Sequence, residues 1–221
     1  DPFMLSPDAS RKIVETHKNS QTSFQVTDVK TGKKYSTISH KACDSLCFIQ
    51  CSRNGKILIT SSLDNKIAVF NTNKGSQISE FTYEPVMDGL FGSGELLFIS
   101  PDAKMISIVE ARSDSPVSLI NNQGCINADP ANVRSTVILF STQSKKAIGK
   151  VLLSGMAKKV VFAPDNKSFA VLNDGKAIFY DTKTLKAIRT IIENDDPIMD
   201  VIYSPGGRYI ATGINIRGVK I

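Results

Sequence analysis

Cys43, Cys47 and Cys51, with His40 just ahead of them, are the densest set of metal-ligating residue types in the chain. A zinc ion needs each thiolate or imidazole within ~2.3 Å in tetrahedral array. The run reads instead as a β-strand, where that spacing at ~3.3 Å per residue sets successive thiols ~13 Å apart along one side. Buried, unpaired thiols are therefore expected, in keeping with a reducing compartment, and no metal centre or disulfide. Groups able to move protons are equally sparse. Two histidines occur; His17 falls in a polar connection and is expected to be solvated. Glu193, Asp195 and Asp196 share a polar turn, where a solvated loop accounts for them without acid–base chemistry or a bound cation. No Gly-x-Ser-x-Gly elbow, His-Glu-x-x-His zinc helix, phosphate loop or EF-hand loop is present. The expectation is a non-enzymatic chain with no catalytic, cofactor-binding or metal-binding residues.

The elements that carry these residues repeat. Phe162-Ala163-Pro164-Asp165-Asn166-Lys167 has counterparts at 98–104, 203–208 and 3–9, and Arg53-Asn54-Gly55 fills the corresponding place in the second unit. A unit that cannot bury its own apolar face must stack against copies of itself. In the clearest copy, 160–191, four short apolar runs are separated by turns at Pro164-Asp165-Asn166, Asn173-Asp174-Gly175 and Asp181-Thr182-Lys183-Thr184. Runs this short, punctuated by Gly, Pro, Asn and Asp, predict four β-strands per unit. Asp28, Asn71, Ser141 and Asp181 recur where the third run ends, each offering a short acceptor to a turning backbone.

The units are expected at about 1–38, 39–80, 81–152, 153–191 and 192–221, the last entering its third strand at the end of the chain. The step from Pro101 to Pro164 is much longer than that from Pro164 to Pro205. The excess is assigned to Ala111–Ser135, read either as a long connection between second and third strands or as a degenerate strand pair around Val117–Ile120.

Four-stranded units of about 40–45 residues, whose third strand closes on an aromatic-plus-acidic pair, resemble the blades of WD40 β-propellers. The likeness is strongest at 39–75. There Ser39-His40 stands for the family's Gly-His, Thr60 to Val69 for its strand, tight turn and strand, and Phe70-Asn71 for Trp-Asp; Tyr180-Asp181 comes nearest to that pair elsewhere. The chain has no Trp, so the indole donor of the family's hydrogen-bond chain is missing. His40 and Asp64 are the members of that structural network the second unit retains. The resemblance implies an all-β, WD40-like propeller or incomplete propeller of four to five blades. It also implies a protein-interaction scaffold within a multisubunit complex. From the phase of the units, a piece of a larger propeller is expected ahead of a closed five-bladed ring.

At 221 residues, 41% hydrophobic and 22% charged, the composition is that of a globular domain. No run approaches the ~18 apolar residues of a membrane span, and an intracellular place, cytoplasmic or nuclear, is expected. Charge placement then suggests a surface. In a propeller, the turns joining first to second and third to fourth strands share one face. They carry Lys33, Lys34, Arg53, Lys56, Lys74, Lys145, Lys146, Lys183 and Lys186, the candidate partner-binding residues, along with Lys104, Lys167 and Arg208. Glu80, Glu84, Asp88, Asp114, Asp129, Glu193, Asp195 and Asp196 are assigned to the opposite connections. With a net charge of +6 and a pI near 9.1, the basic face suits an acidic protein, RNA or anionic lipid heads. No aromatic residue is read as interleaved with these bases, which disfavours base stacking. An RNA-associated role, as in RNA processing or ribosome assembly, is the alternative function. An enzymatic or small-ligand propeller is the other, and it would need a polar central channel that the apolar first strands do not provide.

Overall fold

The computed structural model describes residues 3–18, 21–40, 46–62, 65–84, 97–113, 133–193, 196–214 and 218–220. All regular structure among them is antiparallel β. The first sheet contains β1 (Phe3–Leu5), β2 (Arg11–Lys18), β3 (Gln21–Asp28) and β4 (Lys34–His40); the second contains β5 (Leu46–Cys51), β6 (Ile57–Ser62), β7 (Lys66–Asn71) and β8 (Ser76–Thr82). The third is β9 (Leu97–Ile99), β10 (Met105–Ser113), β11 (Val133–Ser141) and β12 (Lys146–Ser154), and the fourth β13 (Ala157–Phe162), β14 (Ser168–Asn173), β15 (Lys176–Asp181) and β16 (Ala187–Ile192). The last sheet is three-stranded: β17 (Ile198–Tyr203), β18 (Ile210–Ile214) and β19 (Gly218–Lys220). Each sheet is a meander in chain order, a propeller blade. No helix among the described residues is long and apolar enough to cross a membrane.

Period-two alternation places each strand's residues in two different cores. In β6 and β7, Leu58, Ala68 and Phe70 join Phe24, Val26 and Ile38 of the first sheet. Their neighbours Ile59, Ile67 and Val69 turn the other way, onto Ile106, Ile108 and Phe140 of the third. Leu139 and Val137 of the third sheet then meet Phe169, Val171 and Tyr180 of the fourth, whose Ala170, Leu172 and Phe179 face Ile198 and Val201 of the last. No sheet has a core of its own; successive residues on one strand belong to opposite interfaces. Burying a side chain the size of Phe169 contributes about 2–3 kcal/mol, so stacking in series holds the array together.

The structure revises one length. Strands β10 and β11 stay paired out to Ser113↔Val133, so both ends of the segment assigned to a connection at 111–135 are ladder. Residues 114–132, including Val117–Ile120, lie outside the described residues.

Candidate interaction face

Turns between first and second strands are one module used repeatedly. Ser6 Oγ accepts from Arg11 N (3.0 Å), Ser52 Oγ from Ile57 N (3.0 Å), Ser100 Oγ from Met105 N (2.9 Å) and Ser204 Oγ from Tyr209 N (3.1 Å). Asp8 and Asp102 each take a hydrogen bond from that serine and another from a backbone N–H of the turn. Partial burial would raise the Asp8 carboxyl, but hydrogen bonds from Ser6 and Ser10 prevail and hold it below its ordinary value. One position of the module adopts left-handed backbone in every copy: Ala9 (φ 55°), Gly55 (62°), Ala103 (60°), Asn166 (60°) and Gly207 (72°). At Gly55 a Cβ would also lie 2.7 Å from Arg11 Cδ.

Turns between third and fourth strands follow the expected chemistry. Asp28 Oδ1 accepts from the Lys30 and Thr31 amides and the Thr31 hydroxyl; Asp181 Oδ1 does the same with Lys183 and Thr184. Asn71 and Ser141 serve in the second and third sheets. Both carboxyls are held below the usual range, first by backbone N–H groups of Thr31 and Thr184 and then by those threonines' hydroxyls. The two kinds of turn are tied together by a backbone bond in each of four sheets, and in three of them by a threonine hydroxyl as well. Val29 N donates to Ser10 O (3.1 Å), and Thr72 N to Lys56 O, Thr142 N to Lys104 O and Thr182 N to Lys167 O at 3.0 Å each.

On this braced face Lys33, Lys56, Lys74, Lys145 and Lys183 lie exposed in turns, while Lys34, Lys146 and Lys186 stand exposed at or beside the first residue of a fourth strand. Arg53 differs. It is half-buried, and its Nη1 donates to Pro205 O (3.0 Å) across the centre of the array, so it braces the scaffold. Two aromatic rings share the face, correcting the expectation of none: Tyr35 beside Lys34, and Tyr209 beside Arg208. The Arg11 guanidinium lies 4.2 Å over the Tyr35 ring, and that of Arg208 6.0 Å from Tyr209. Glu80 lies within β8, and His17 within β2, where its Nε2 approaches Glu15 (3.3 Å); neither sits in a connection.

Arg11 was not singled out by the sequence. Its buried guanidinium reaches Thr72 Oγ1 (2.5 Å) and Asn73 Oδ1 (2.7 Å) of the second sheet. The available signal was register: Arg11 follows its turn serine at the place of Ile57 and Met105, a cation at an apolar position of the repeat.

First strands of all five sheets surround a central cavity of about 500 Å³, with walls formed by Met4, Ile49, Phe98, Val161 and Ile202 among others. The Gln50 amide oxygen on its wall is taken by Ile99 N (3.1 Å). Cys51, also on the wall, is a buried free thiol pushed up to about 11 by desolvation. Among the described residues no group of His, Cys, Asp and Glu is arranged to hold a metal ion. Cys43, Asp64 and the side chains of His40 and Cys47 lie outside the described residues. Thr60 Oγ1 and Ser61 Oγ of β6 are buried with no hydrogen-bond partner among the described residues.

Residues 32–71 match the WD40 family model, described as WD domain, G-beta repeat. The matched segment runs from the turn before β4 through β7, so one repeat supplies the outer strand of one blade and three strands of the next. Among solved structures the chain is similar to Kuenenia stuttgartiensis hydrazine synthase, with a TM-score of 0.57 and 17% identity over 96% of this chain and 54% of that one. That likeness is one of fold; the chain spans about half the length of that structure. No curated protein matches the chain. The chain carries a WD40 repeat in a propeller-like all-β array.

Proposed function

We propose that this WD-repeat array is a non-catalytic protein-interaction platform inside an intracellular multisubunit complex, and that it engages an acidic partner through its basic turn face. WD40 repeats in general serve as interaction scaffolds. The observation that carries the reading is the fourfold brace from Val29, Thr72, Thr142 and Thr182, which holds exposed lysines on turns with little freedom to rearrange. A preorganised charged surface loses less entropy on binding than flexible loops would. Replacing Lys33, Lys34, Lys145 and Lys146 together by Gln is expected to weaken partner retention as strongly as raising salt does. Undiminished retention by that variant overturns the reading.

A second reading, single-stranded RNA held on the same face, draws on Tyr209, whose exposed ring stands beside Arg208. It requires retention on immobilised RNA that falls with salt and falls further for Tyr209→Ala.

A further inference from the structure

The fourth strands form the outer rim, and each carries the same irregularity. Pairing of β4 with β3 jumps from Val26↔Ser36 to Thr27↔Lys34, leaving Tyr35 as an extra residue. The same jump leaves Ile78 in β8, Ile148 in β12 and Ile188 in β16. A bulge on an edge strand discourages pairing with another chain, and a polar residue would serve that purpose as well. The residue itself is what the bulge does not explain: a large aromatic or aliphatic side chain each time, exposed by 36%, 55%, 43% and 61% in that order.

On the third and fourth sheets the two bulged strands are linked by a close contact. Gly149, next to Ile148, lies beneath Leu185 of the following sheet, so closely that a Cβ there would fall 2.4 Å from Leu185 Cδ1. Leu185 lies in the turn before β16, three residues ahead of Ile188, so the Gly149–Leu185 contact stands between the two bulged strands. Exposed cations lie within five residues of each bulge: Lys145, Lys146 and Lys150 on one sheet, Lys183, Lys186 and Arg189 on the other. None of the six forms a salt bridge among the described residues. The nearby carboxylate, Asp181, is occupied by its own turn. Around Ile78 the balance is different, because Glu80 stands exposed two positions on.

We propose that the paired bulges at Ile148 and Ile188 dock an acidic segment of a partner protein in which apolar side chains alternate with Asp or Glu. The proposal rests on the platform reading and gives it a place on the rim. Charge complementarity selects the occupant: carboxylates meet the six cations while aliphatic side chains cover Ile148, Leu185 and Ile188, combining steering with desolvated contact.

The probe is a labelled synthetic peptide of alternating Leu and Glu, titrated against the whole chain by fluorescence anisotropy, beside phosphatidylserine vesicles. The unaltered chain is expected to bind the peptide, and the double variant Ile148→Ser, Ile188→Ser to bind it about tenfold or more weakly with its thermal midpoint unchanged. Ile78→Ser is expected to bind within about twofold of the unaltered chain. Equal binding by the double variant, or no binding by the unaltered chain, overturns the site. Isoleucine-dependent capture by vesicles without peptide binding also overturns it, in favour of a lipid surface. If the four-lysine variant loses its partners while the double isoleucine variant keeps both partners and peptide, the platform stands and the rim site falls.

Discussion

The junction between the first two sheets and that between the third and fourth solve the same geometric problem with different chemistry. Both bury aliphatic residues. The first then adds directional polar bonds near the turn face: Arg11 to Thr72 and Asn73, and Ser36 Oγ to Thr72 O (2.5 Å). It also requires close backbone approach at Gly75, where a Cβ would lie 2.7 Å from Thr37 O. At that face the later junction relies on rings; its own polar bonds, from Ala157 N to Ser135 Oγ and from Asn173 Nδ2 to Ser154 O (2.9 Å each), lie at the opposite ends of the strands. Phe169 lies 5.9 Å from Phe162 and stacks on Tyr180 at 5.4 Å with planes 20° apart, while Leu185 covers Gly149. Dispersion among rings tolerates small shifts; buried hydrogen bonds fail when either partner leaves. At the turn face the first junction therefore sets its spacing tightly, and the later one contributes more through burial.

The largest effect expected from breaking this contrast is at Phe169. Phe169→Ala, on the apolar side, should cost about 3–5 kcal/mol in urea unfolding because a fully buried ring leaves a cavity. On the polar side, Arg11→Met keeps much of the aliphatic stem but removes the charged donor to Thr72 Oγ1 and Asn73 Oδ1, and a loss of about 2 kcal/mol is expected by the same measurement. A milder result at Arg11 than at Phe169 would support the division of labour; the reverse order would overturn it. Gly75→Ala combines a left-handed backbone, φ 68°, with the Thr37 contact, and should cost about 1–3 kcal/mol.

Gains should be smaller. Ala9 is exposed and left-handed where the second sheet has Gly55, so Ala9→Gly is expected to raise stability by up to about 1 kcal/mol, read as a higher thermal midpoint. The smallest effect concerns acid. Asp28 and Asp181 titrate below the ordinary 3.8 when folded, so the unfolded chain binds more protons around that pH. Their contribution is present above 3.8 and is lost as the pH falls through the lowered folded values. Thr184→Val removes one of the Asp181 bonds and should move acid unfolding slightly to higher pH, followed by circular dichroism.

Turn chemistry and strand alternation are local properties, and they were legible residue by residue. Ser-Pro-Asp and Asp-Thr-Lys-Thr announce backbone reversals because short side-chain acceptors satisfy nearby N–H groups. The consecutive apolar residues Leu58-Ile59 and Ala68-Val69-Phe70, pointing in turn to opposite faces, already say that both faces of the sheet are buried. Contacts between units are decided elsewhere. That Arg53 spans the centre, that Arg11 bridges two blades, and that Leu185 closes on Gly149 of the preceding sheet all depend on how far each sheet rotates relative to its neighbour. That rotation is set by side-chain volumes in cores shared between units, a property no single repeat contains.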